Sequence, residues 1–125
     1  MTFDAILFDC DGVLVDSEHI TNGVLRTMLN EAGWAITHDE CMAYFIGRTV
    51  RSATARIEAE TGKPLTDEWM ASFYARRNAE LDQHLVAIEH IHPAIERVHA
   101  HHGGRIACAS GADRSIVGWT EVARL

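Results

Sequence analysis

The sequence has 125 residues, of which 47% are hydrophobic and 23% charged, and a net charge of −7. That is the composition of a soluble globular protein long enough for one ordinary domain, and its acidity disfavours nucleic acid and anionic membrane as partners. No apolar run approaches the roughly 20 residues of a membrane span, and no basic stretch followed by an apolar one opens the chain, so a cytoplasmic protein is expected.

The apolar run at residues 3–8 predicts a first, buried parallel strand. From Ser17 to about Ala32 the pattern is helical, with Ile20, Val24, Leu25, Met28 and Leu29 on one face and Gly33 as the stop. Thr37 and Glu40 have the spacing of a capping box, which opens a short helix whose apolar side is Met42, Phe45 and Ile46 and which ends near Gly47. Another helix is expected from Thr49 or Ser52 to Thr61. Thr66 then caps a longer one with Met70, Phe73, Leu81 and Leu85 in its stripe, and the acids Asp67 and Glu68 suit its first turn. The stretch 17–88 carries no strand signal. Pro93 fits the first position of a further helix that runs to Gly103-Gly104. A second short strand is expected at 105–109, and a last helix from Ser110 to Leu125. The cysteines Cys10, Cys41 and Cys108 are odd in number and far apart, which suits buried, reduced thiols.

The chemistry-bearing residues follow the strands. Asp9 and Asp11 stand at the carboxyl end of the first, where α/β sheets bind ligands, and Gly12 supplies the sharp turn after them. Two carboxylates this close repel unless a cation lies between them, and hard oxygen donors suit Mg²⁺. One can attack a phosphorus atom and the other can move protons. Cys10 lies between them, but strand alternation turns its side chain to the opposite face, where it packs. Ser110 also ends a strand. Its hydroxyl, with the backbone N–H groups that follow at Gly111, makes an anion site.

The run Asp9-Cys10-Asp11-Gly12-Val13-Leu14-Val15-Asp16-Ser17-Glu18 resembles the first signature of the haloacid dehalogenase-like phosphotransferases, in the branch of β-phosphoglucomutases and sugar-phosphate phosphatases. The resemblance implies a doubly wound, Rossmann-like parallel sheet with an inserted helical cap. On that reading residues 1–16 and 89–125 form the α/β core and 17–88 the cap. The long stretch between the two strands agrees, since a parallel crossover needs only a dozen or so residues. The resemblance further implies Asp9 as the nucleophile that becomes an aspartyl-phosphate and Asp11 as general acid and base, with Mg²⁺ held at Asp9 and at the backbone carbonyl of Asp11. Ala109-Ser110-Gly111-Ala112 is similar to the second motif, which binds the transferring phosphoryl group. Arg48 falls where related caps carry a substrate-binding loop, and its guanidinium suits a phosphate or carboxylate.

These features point to a Mg²⁺-dependent phosphatase acting on a small phosphorylated sugar or sugar acid. The alternative of a phosphosugar mutase is weakened because Thr21 stands where mutases of this branch carry histidine. The later lysine and acidic-pair motifs are not in the sequence; Lys63, its one lysine, lies in the cap region. A third expectation is therefore an inactive fragment, with little turnover from this chain alone and a sheet completed by self-association or a further segment.

Overall fold

A computed structural model describes residues 2–110. The chain divides into two compact units, one taking in Met1–Glu18 and the chain from Leu85 onward, the other His19–His84.

The first unit is built on two parallel strands, β1 (Ile6–Asp9) and β2 (Ile106–Ala109), paired in the register Ile6↔Ile106 to Asp9↔Ala109. The expected start of β1 at residue 3 is corrected by this register. β2 begins at Ile106, so residues 3–5 have no ladder partner there, and Phe3 is exposed. The Arg105 side chain instead donates to the Asp4 carbonyl at 2.6 Å. Beyond β1 the chain winds tightly. The N–H groups of Val13, Leu14 and Val15 all point at the Cys10 carbonyl (2.9–3.3 Å), and Cys10, Leu14 and Val15 are buried.

The absence of extended structure over 17–88 is also corrected. Asp16 N–H donates to the Val86 carbonyl (2.9 Å), Ile88 N–H donates to the Leu14 carbonyl (3.0 Å), and Val15 bridges Ala87 in antiparallel sense. Residues 86–88 thus form a short ladder with the loop that follows the aspartates. α5 (Ile91–His101) returns the chain to β2. It starts two residues before Pro93, with His90 in the left-handed conformation (φ 63°) as its cap. Pro93 is accommodated because N–H groups in a first turn have no helical acceptor.

The second unit is helical: α1 (Glu18–Glu31, whose first residue belongs to the other unit), α2 (His38–Phe45), α3 (Thr54–Thr61) and α4 (Asp67–His84), with a 3₁₀ turn at Arg51–Ala53 before α3. Each helix contributes one apolar stripe. Leu25, Met28 and Leu29 of α1, Cys41 and Phe45 of α2, Ile57 of α3 and Met70 and Phe73 of α4 share one core. Ile46, expected on the apolar side of α2, is exposed. It is the C-cap, and its ψ of 124° takes its side chain off the helical face. Leu85 lies one residue past the end of α4.

The capping box of α2 forms as its spacing demands. Glu40 N–H donates to Thr37 Oγ1, and Thr37 N–H donates to Glu40 Oε2 at 2.9 Å. The Thr37 backbone bond first, then its hydroxyl, hold the Glu40 carboxyl below its ordinary value of 4.5. A carboxyl lowered in the folded state stabilises fully above the ordinary value and stops doing so as pH falls through the lowered one. Thr37→Ala keeps the backbone bond but removes the hydroxyl that accepts the Glu40 N–H and donates to the carboxylate; losing the cap should cost about 1 kcal/mol at pH 7, and the gap to wild type should narrow in acid as the wild type too loses the hydroxyl–carboxylate bond. Urea unfolding followed by circular dichroism at pH 7 and near pH 3 checks this; equal gaps at both would show that the bond from the Thr37 hydroxyl to the Glu40 carboxylate adds no stability.

Candidate functional site

β1 places Asp9 at its last position and β2 places Ala109 opposite it, so the following residues, Cys10 and Ser110, leave the sheet at the same edge. Ser110 is half-buried there. Asp9 is exposed, and its Oδ1 accepts the Cys10 N–H at 2.7 Å. Asp11, half-buried, accepts the Ser17 hydroxyl on Oδ1 at 2.8 Å. Gly12 has φ +73°, and its N–H donates to the Val15 carbonyl. A side chain there would meet no atom within 4 Å, so the glycine is required by the backbone conformation and not by space.

Ser17 is a residue that the sequence reading quoted without giving it a role. Only 4% exposed, it holds the Asp11 carboxylate from the first residues beyond the turn. The signal was there in its place within the signature.

Cys10 is fully buried, as strand alternation requires, while Cys108 is exposed, against expectation, since among the described residues β1 alone pairs with β2. Although Cys108 as a residue is exposed, its sulfur lies against the Cys10 thiol. Desolvation, then Cys10, then the charges of Asp9 and Asp11 push the Cys108 thiol above its ordinary value. The negative field of the aspartate pair thus reaches the neighbouring strand, and a phosphate arriving here needs a cation. Among the described residues no three His, Cys, Asp or Glu side chains cluster as a ready metal cage. Two hard carboxylates at one strand end are nevertheless the donor set Mg²⁺ takes when waters and substrate oxygens supply the rest.

Gly111 lies outside the described residues. Arg48 belongs to the helical unit, where its guanidinium stacks on the Tyr44 ring, Cζ 4.9 Å from the centroid. In the same unit a groove of about 720 Å³ between α1 and α4 is lined by His19, Arg76, Glu80 and His84 among others.

Residues 6–118 match the family model of the haloacid dehalogenase-like hydrolases. The chain belongs to that family. The 6-phosphogluconate phosphatase of Escherichia coli K12 is 34% identical over 87 residues, which is 69% of this chain and 39% of that protein. A haloacid dehalogenase-like protein of unknown function from Agrobacterium tumefaciens has a crystal structure that matches 98% of this chain and 53% of its own, at 28% identity and a TM-score of 0.83. A family hydrolase from Deinococcus radiodurans, crystallised with bound phosphate and sodium, matches 97% of this chain and 52% of its own, at 28% identity and a TM-score of 0.73. The chain spans about two fifths of the curated relative and about half of these two structures.

Membership fixes the fold class of the haloacid dehalogenase-like chain as α/β, with a Rossmann-like parallel sheet of which the described residues supply two strands. No helix among the described residues is long and apolar enough to cross a membrane.

Proposed function

We propose that the protein acts in the cytoplasm as a Mg²⁺-dependent phosphatase on a small phosphorylated sugar acid, through an aspartyl-phosphate at Asp9. The observation that carries this reading is the parallel register that brings Asp9 and Ser110 to one edge of the sheet, with Asp11 two residues on and held by Ser17. The curated relative supports the substrate class by its name, and the bound phosphate of the Deinococcus radiodurans structure supports an oxyanion ligand.

Asp9 attacks the phosphorus, and the bond from phosphorus to the ester oxygen breaks. Asp11, protonated, gives its proton to that oxygen so that an alcohol leaves. Asp11, now a carboxylate, takes a proton from water as the water attacks the phosphoryl group, which frees inorganic phosphate and restores Asp9. The Ser110 hydroxyl and the Gly111 N–H donate to the phosphoryl oxygens as their charge grows. The Asp9 carboxylate and the Asp11 backbone carbonyl would hold Mg²⁺, which would supply the positive charge that lets a carboxylate approach a phosphate. The Ser17 hydrogen bond keeps Asp11 facing the reaction and does not itself move a proton.

The test is phosphate release from 6-phosphogluconate and from p-nitrophenyl phosphate, using the longest form of the protein that the gene encodes. Release should stop in EDTA and return with Mg²⁺. Release that persists without the metal, or none from either ester, overturns the reading.

A further inference from the structure

We propose that Cys10 and Cys108 form a second cation site beside the aspartates, one that takes a single thiophilic d¹⁰ ion. Its ligands are soft where the oxygens of Asp9 and Asp11 are hard, so the two sites sort cations by chemistry.

The strand register builds the pair. Phe8 stands opposite Cys108 and Asp9 opposite Ala109, so Cys10 arrives one step past the last rung. Ile6, Phe8 and Cys10 alternate onto the more buried face of β1, and Asp9 onto the other. Cys108, level with Phe8, shares the face of Cys10 and is its diagonal neighbour. The two sulfurs meet there, with the side chain of Cys10 hydrogen-bonded to that of Cys108. Cys10 is buried and Cys108 exposed. One ligand is therefore held firmly and the other gives the ion its way in.

Distances decide between the two things such a pair can do. Diagonal neighbours in a sheet have Cα atoms about 7–8 Å apart, whereas a disulfide holds them within about 4.4–6.8 Å. A disulfide would have to drag β2 toward the turn. An ion bonded to each sulfur at about 2.3 Å lets the sulfurs stay about 3.8 Å apart in tetrahedral geometry, an ordinary sulfur contact. Waters fill the remaining positions. Each thiol gives its proton to solvent as its bond to the ion forms, and nothing is oxidised. The negative charges of Asp9 and Asp11 reach Cys108. They oppose its ionisation in the absence of a cation, and for the same reason they draw a cation to it. Cys41 lies in the helical unit, where burial pushes its thiol up to about 11.

Cys10 is also part of the turn that carries both aspartates. Its N–H donates to Asp9 Oδ1, and its carbonyl accepts from Val13, Leu14 and Val15. An ion that pins its side chain to β2 fixes that turn and should slow phosphate release. This consequence rests on the reading of Asp9 as the nucleophile.

The probe is Cd²⁺ with Mg²⁺ at saturation, added to the longest form of the protein that the gene encodes. Titration should raise the ultraviolet thiolate-to-cadmium charge-transfer band. The share of the band lost in Cys108→Ala should equal that lost in Cys10→Ala and correspond to one ion per chain, while Cys41→Ala should lose none. The affinity of that ion should fall by at least about 100-fold in Cys108→Ala, since the loss of even an outer partner of a metal costs about 10–100-fold. No band, or a band that Cys108→Ala leaves intact, overturns the proposal; Cd²⁺ bound without the band sits on carboxylates. In the same titration, phosphate release from p-nitrophenyl phosphate should fall in the wild type and hold in Cys108→Ala. No fall, or an equal one in both, overturns the link to the turn. The band is read without turnover, so a protein that hydrolyses no ester still decides whether the site exists. Circular dichroism of each variant guards against unfolding.

Discussion

Asp9→Asn is expected to lower phosphate release by at least about a thousandfold, a barrier increase of about 4 kcal/mol. The substitution is nearly isosteric. The amide oxygen can still accept the Cys10 N–H that now donates to Oδ1, so the turn after β1 should keep its shape. What is lost is the negative oxygen that would bond to phosphorus and the carboxylate charge that would hold Mg²⁺. Steady-state assays of wild type and variant, with matching circular dichroism, make the check. If the variant keeps more than about a tenth of the wild-type rate, Asp9 is not the nucleophile and the phosphoryl group goes to water directly.

Leu29→Ala should be the most damaging single change to the helical unit. Leu29 is fully buried among Leu25, Met28, Ile36 and Phe73 of the shared core. Truncating it removes apolar contacts and leaves a void, at a cost of about 3 kcal/mol. Urea unfolding read at 222 nm should show a lower midpoint with little change in slope. A cost under about 1 kcal/mol would mean that the helices close around the gap and that this core is loosely packed.

Local rules read the local structure well. The Thr37 capping box, the helical faces of Leu25, Met28 and Leu29, and the inward turn of Cys10 each depend on spacings of a few residues, and the structure has all three. Long-range pairing was harder to see. The ladder of 86–88 with Leu14–Asp16 joins segments some 70 residues apart by only a few hydrogen bonds, and Leu85-Val86-Ala87-Ile88 continues the apolar stripe of α4 closely enough to pass for its last turn. The limits of β1 likewise came from the register with β2, which no property of residues 3–8 contains. At the candidate site, the sequence named Asp9, Asp11 and Ser110 because acids and a hydroxyl at strand ends have few other uses. It gave Ser17 no role, because a serine ahead of a helix looks like any cap until the turn after β1 lays the Asp11 carboxylate against its hydroxyl.

The ladder beside the aspartates has one more consequence. Asp16 and Val86, hydrogen-bonded to each other, flank the points where the chain departs for the helical segment and comes home. A segment whose two ends are stapled side by side asks of its host only a fixed small gap, and the entropy of closing such an excursion grows slowly with its length. The length of that excursion can therefore change at little cost in closure entropy while the two strands keep their register.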